Sequence, residues 1–116
     1  MAIPALPKRP NQSIGRSWQV NHAERLKWRR WVGLALMGQK PVAPYPLASV
    51  TITRFSSSPP DYDGLVASCK IIIDALKFHG VIADDSMKHI KSEYLWEKTK
   101  PKQGKVTIVI KPLTIF

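Results

Sequence analysis

The chain is short of several things, and each shortage narrows its chemistry. It has one cysteine, Cys69, in 116 residues. No disulfide can form within the chain, so a reducing, cytoplasmic setting is the simplest expectation. No run of apolar residues exceeds four, far below the roughly 18–20 that a membrane-crossing helix needs. The opening Met1-Ala2-Ile3-Pro4 has no basic stretch followed by an apolar one, so no signal peptide is expected. His22, His79 and His89 do not fall at zinc-ligand spacing, and there is no glycine-rich phosphate loop. Acidic residues are scarce: 8 Asp and Glu stand against 18 Lys and Arg, a formal net charge of +10.

An excess of positive charge implies an anionic partner, nucleic acid before an acidic protein or a membrane surface. The placement of the few acids says more. Five of the eight are Asp61, Asp63, Asp74, Asp84 and Asp85, all within 25 consecutive positions. Basic residues flank them on both sides, from Lys8 to Arg54 and from Lys88 to Lys111. Nucleic-acid binding alone does not explain an acidic spot in a basic body, because carboxylates repel phosphate. A divalent cation held by them would reverse that repulsion.

About 44% of the residues are hydrophobic, enough for one core, and residues 1–116 are expected to form one domain. A chain this small buries a limited share of its surface, so a partner subunit is a natural supplement. Met1–Leu6 is a candidate edge strand, followed by loop to about residue 20. Asn21, as N-cap, and Glu24 three residues later predict a helix over about 22–38, with Trp28, Trp31, Val32, Ala35 and Leu36 as its buried stripe. Gly38 and Pro41 should end it. The alternating 49–55 segment is a strand. A second helix is expected from Asp63 or Gly64 to about Phe78, stopped by Gly80 and burying Leu65, Val66, Cys69, Ile72, Ile73 and Leu76. Residues 88–97 alternate, 98–104 look like a hairpin loop, and 105–111 form a closing strand. The expected fold is α+β: two helices packed on a small mixed β-sheet.

Three constellations could carry chemistry. Asp61 and Asp63, two apart at a helix entrance, can converge on one hard cation; the plainer account is a turn aspartate and a helix cap. Asp84 and Asp85 repel each other unless a cation intervenes; the plainer account is a solvated turn. Lys70 and Asp74 are four apart on one helix face, and Asp63 lies seven before Lys70 on the same stripe. They form either a surface ion pair or a site where Lys70 meets a phosphate oxygen. Together these groups match what metal-assisted phosphodiester hydrolysis requires. Cys69 faces the core. Trp18, beside Arg16, is the best candidate to stack on an exposed base.

The pattern resembles the RusA-type Holliday junction resolvases of phages and prophages. The matching text is Pro59-Pro60-Asp61-Tyr62-Asp63-Gly64-Leu65, then Lys70 with Asp74-Ala75-Leu76, then Gly80-Val81-Ile82-Ala83-Asp84-Asp85-Ser86. Pro10-Asn11 and Trp18 are similar to the family's N-terminal loop, and Gly104–Ile108 to its closing strand. The resemblance implies a homodimer, dependence on Mg²⁺ or Mn²⁺, and paired cuts across a four-way DNA junction. By position it makes Asp61, Asp63 and Asp85 the essential metal-binding carboxylates, with Lys70 as the catalytic-site lysine and Asp84 and Asp74 in support. Arg16, Trp18, Arg25, Arg29 and Lys88 are the expected DNA contacts. Two departures stand out. Gly64 replaces the family's Asn, and the stretch from Asp63 to Lys70 is about three residues longer, close to one helical turn. The expected function is therefore structure-selective cleavage of branched DNA. The competing expectations are a nucleic-acid-binding protein of the same fold without cleavage, and a basic protein-interaction module.

Overall fold

The core is assembled on one central strand. A computed structural model of the chain describes residues 1–8 and 18–113, with residues 18–20 as backbone only. Its elements are β1 (Ala2–Ile3), α1 (Trp18–Ala35), β2 (Ala48–Ser56), α2 (Tyr62–Phe78), β3 (Ile90–Lys98) and β4 (Lys105–Pro112). The strands lie side by side in the order β1-β4-β2-β3. β2 pairs with β3 in parallel and with β4 antiparallel, which makes the sheet mixed, as expected. The β1 edge strand and the order of elements also agree with the sequence.

Along β2, Ala48, Val50, Ile52, Arg54 and Ser56 are buried while the residues between them are half-exposed. One face of the sheet therefore carries the core. It meets Trp28 and Val32 of α1, Leu36 just beyond its end, and Leu65, Cys69, Ile72, Ile73 and Leu76 of α2. Trp31 and Ala35 are only partly buried, packing at the margin of this cluster, and Trp31 meets Trp28 edge-on with ring centroids 5.0 Å apart. Each large aliphatic side chain buried this way contributes about 1.5–3 kcal/mol. Among the described residues the other face carries Ser, Thr, Lys and Glu side chains together with Phe55, Leu95 and Val109.

Two boundaries and one connection differ from the sequence expectation. α1 begins at Trp18, so Asn21 lies inside the helix rather than at its cap. Glu24, expected to close a capping box, instead pairs with Lys8 at 3.4 Å and Lys27 at 3.3 Å. A long-range partner has outcompeted the local signal. α1 ends at Ala35, and Gly38 follows in the left-handed region at φ 78°. The third difference is topological. Residues 98–104 do not close a hairpin, because β2 lies between β3 and β4. The connection crosses the end of β2, with the Thr99 N–H donating to the Ser56 carbonyl at 3.1 Å. Alternation marks a strand but does not say which strand lies beside it.

α2 ends as its glycine predicts. Gly80 has φ 74°, the Val81 N–H donates to the Leu76 carbonyl at 3.0 Å, and the Gly80 N–H to that of Lys77 at 3.1 Å. This pair of bonds is a Schellman cap. Arg54 enters the core face of β2 as a buried cation whose Nη1 donates to the Pro7 carbonyl at 2.8 Å, holding the N-terminal segment down. No helix among the described residues is long and apolar enough to cross a membrane.

If β2 organises the core, Ile52→Ala, at a side chain that is 0% exposed, lowers the unfolding free energy by about 2–5 kcal/mol. Leu34→Ala, at a side chain 60% exposed, lowers it by less than about 0.5 kcal/mol. Urea titrations measure both, and equal losses would contradict this placement of the core.

Candidate functional site

The helical period lines up Asp63, Ala67, Lys70, Asp74 and Lys77 along one stripe of α2. The Schellman cap reverses the chain after α2 and brings the segment before β3 back beside that stripe. Two lysines meet two aspartates there. Lys70 Nζ lies 3.1 Å from Asp85 Oδ2 and 3.4 Å from Asp74 Oδ1. Lys77 Nζ lies 3.0 Å from Asp84 Oδ1, and the Asp85 backbone N–H donates to the same Asp84 oxygen at 2.8 Å. The adjacent aspartates are thus separated by function: one carboxylate folds onto the backbone and Lys77, the other turns toward Lys70.

Lys70 and Asp85 stand at the lip of a hollow of about 180 Å³ between α2 and β3, whose walls are Val66, Ala67, Ile73, Ile90, Ser92 and Tyr94. A larger cleft of about 380 Å³ lies between Ala2–Ala5 and the end of α1, but its lining has no ionisable side chain and offers no chemistry. The walls Ser92 and Tyr94 were not singled out in the sequence. Only the pairing of β3 outside β2 brings them beside α2.

These ion pairs are open to solvent, so they add little to stability. They still move protonation. The hydrogen bond from Lys77 and that from the Asp85 backbone hold the Asp84 carboxyl down, to about 2 from an ordinary 3.8. Asp85 and Asp74 raise Lys70, the hydrogen bond to Asp85 contributing most, and Asp84 raises Lys77. Both lysines are therefore firmly cationic at neutral pH. Burial drives the Cys69 thiol up to about 11, which fits a core residue and leaves it a poor nucleophile.

Asp61 and Asp63 occupy the other end of α2. Asp61 is the N-cap residue, extended at φ −70° and ψ 159°, with no side-chain capping bond. Asp63 is in the first turn and exposed, and so does not cap the helix. It precedes Lys70 by seven residues, about 10 Å along the helix axis. Among the described residues no group of three or more His, Cys, Asp or Glu is gathered closely enough to hold a metal ion. The structure thus brings Lys70, Asp85, Asp84 and Asp74 together, and leaves Asp61 and Asp63 two turns away. Gly64 bears directly on this. A Cβ there would come 2.7 Å from Asp61 Oδ1, so the glycine leaves room for the Asp61 carboxylate to lie over the first turn.

Of the expected DNA contacts, Arg16 lies outside the described residues, and Trp18 opens α1 with its side chain undescribed. Arg25 is half-exposed and Lys88 exposed. Arg29 is half-buried and engaged in packing, its guanidinium 4.2 Å over the Phe78 ring. His79, not marked out in the sequence, clamps the two helices: Nε2 is 2.6 Å from the Arg29 carbonyl, and its ring fills the space a Cβ on Gly33 would need. No model of a known protein family matches the chain, and no curated protein matches it.

Two outcomes test this geometry. The Lys77–Asp84 contact is fully present above pH 3.8 and is lost as pH falls through about 2. Lys77→Met should carry the Asp84 titration part of the way back toward 3.8, followed by carboxyl ¹³C NMR; an unmoved titration would show that Lys77 is not the cause. Gly64→Ala should stabilise α2 by up to about 1 kcal/mol while pushing the exposed Asp61 carboxylate aside. A thermal melt reads the first effect, and the shift of Asp61 NMR signals the second.

Proposed function

We propose that this chain is a metal-dependent, structure-selective endodeoxyribonuclease of the RusA type, cutting four-way DNA junctions in pairs as a homodimer in a cytoplasmic setting. The observation that carries this reading is the meeting of Lys70 and Asp85, fifteen positions apart, at 3.1 Å beside a groove, with Asp84 adjacent and Asp63 on the same helix face. The donors suit the group in kind, because Asp61, Asp63, Asp84 and Asp85 offer only hard carboxylate oxygens, the ligands of Mg²⁺ or Mn²⁺. Such an ion would supply hydroxide at neutral pH and offset phosphate charge.

The remaining roles belong to the chain. Lys70, 65% exposed and held cationic, donates to a non-bridging phosphate oxygen and stabilises the charge that grows there. Asp85 and Asp74 keep its ammonium aimed along the groove. Arg16, Arg25 and Lys88, within a chain of net charge +10, hold the DNA arms through salt-sensitive phosphate contacts, while Trp18 stacks on an exposed base and Arg29, its guanidinium over Phe78, braces the helix. A synthetic four-way junction incubated with Mg²⁺ or Mn²⁺ tests the reading. Cleavage should occur, and Asp63→Asn and Lys70→Met should each slow it by about a hundredfold or more. The absence of cleavage with every divalent ion, or equal cleavage by Asp63→Asn, excludes it.

A second reading, junction binding without cleavage, rests on its own observation. Asp84 and Asp85 are already neutralised by Lys77 and Lys70, and Asp61 and Asp63 stand two turns off. It expects binding that weakens steeply with salt and is indifferent to metal.

A further inference from the structure

β3 is the outer strand of the sheet, paired along one edge with β2. It runs for nine residues and contains neither proline nor glycine. Among the described residues no strand covers its outer edge, which therefore presents a row of backbone N–H and C=O groups to any strand that can match it. The opposite edge strand, β1, has only two residues and offers no comparable template. Charged side chains on an edge normally discourage pairing. On β3 the charges are of both signs, Lys91 and Lys98 with Glu93 and Glu97.

Lys91, Glu93, Leu95 and Glu97 share the sheet face turned away from the helices, and all four are exposed. Two copies related by a twofold axis pair antiparallel. With the axis at Tyr94, the midpoint of Ile90–Lys98, all nine residues gain a partner. In that register Lys91 of each copy stands opposite Glu97 of the other, so two opposite-charge pairs form at the ends. Leu95, 43% exposed, lies near the middle of the joined face. Sliding the strands by two residues one way sets Glu93 against Glu93. Sliding them the other way sets Glu93 against Glu97 twice. A slip of one residue would turn the core face of one copy outward. Full strand overlap and charge matching thus coincide in a single register.

We propose that the open edge of β3 is a self-association surface, on which a second copy of this chain pairs antiparallel about Tyr94 with Lys91 set against Glu97. Ser92 and Tyr94 line the groove beside α2, so the grooves of the two copies adjoin at the axis and their Lys70–Asp85 pairs flank it. On the DNA-cleaving reading this places two sites on one particle. The association itself does not need that reading and is measured without DNA or metal.

Sedimentation velocity of the full chain, at an ionic strength where the screening length is about 8 Å, should show a dimer at micromolar concentration. Lys91→Glu and Glu97→Lys should each weaken it by about tenfold or more, because two opposite-charge cross-strand pairs become like-charge pairs. Lys91→Gln should weaken it less than Lys91→Glu. The double exchange Lys91→Glu with Glu97→Lys should restore the dimer. Both positions are exposed, so circular dichroism should show every variant folded, and the double exchange carries the test if a single variant is not. A monomeric wild type overturns the proposal. So do charge-reversed single variants that stay dimeric, or a double exchange that stays dissociated. Junction cleavage by a protein that sediments as a monomer would sink the interface and leave the cleavage reading standing.

Discussion

β2 is hydrogen-bonded along both edges, and everything else in the fold takes its place from that strand. Its core-facing residues receive both helices, its parallel edge sets β3, and its antiparallel edge sets β4. A parallel neighbour cannot be reached by a tight turn, so α2 must carry the chain back across the sheet. That requirement, together with the Gly80 cap, returns Asp84 and Asp85 to the side of α2 on which Lys70 and Lys77 project. The side-chain cluster is thus a consequence of a backbone constraint. The ion pairs are too exposed to create it; they select the side-chain positions within it.

The two ends of α2 have separate characters. At its C-terminal half, lysines and aspartates neutralise one another in a fixed pattern, and Lys77 helps hold the Asp84 carboxyl down to about 2. At its first turn, Asp61 and Asp63 are exposed and have no lysine partner among the described ion pairs. Gly64 gives the Asp61 carboxylate a place against the helix. The seven residues from Asp63 to Lys70, about two helical turns, set the distance between the two ends.

Much of this was legible in residue order, and particular residues show why. The 3.6-residue period of α2 placed Leu65, Val66, Cys69, Ile72, Ile73 and Leu76 inside, of which only Val66 is left half-buried, and the same period put Lys70 and Asp74 together outside. Gly80 announced the end of α2, because left-handed backbone favours glycine, whereas α1 stops at Ala35, three residues short of Gly38. Asn21 misled, since its capping pattern is a local signal and Glu24 found Lys8 instead. The supposed hairpin at 98–104 misled for a similar reason: alternation reports burial of a face and not the identity of a neighbour. Arg54, Tyr94 and His79 gave no sign of their roles, because each is defined by a group far away in the chain.

The sequence by itself determined the α+β class, the order of elements, the core face of each helix and the concentration of aspartate within 25 positions. These follow from short-range periodicity and composition. Only the tertiary structure decided that β3 and β4 lie on opposite sides of β2, that Lys70 holds Asp85 while Lys77 holds Asp84, and that Asp61 and Asp63 stand apart from them. The reason is physical: strand neighbours and ion-pair partners are chosen by the competition of distant segments for the same edge or the same charge, and that competition has no local signature.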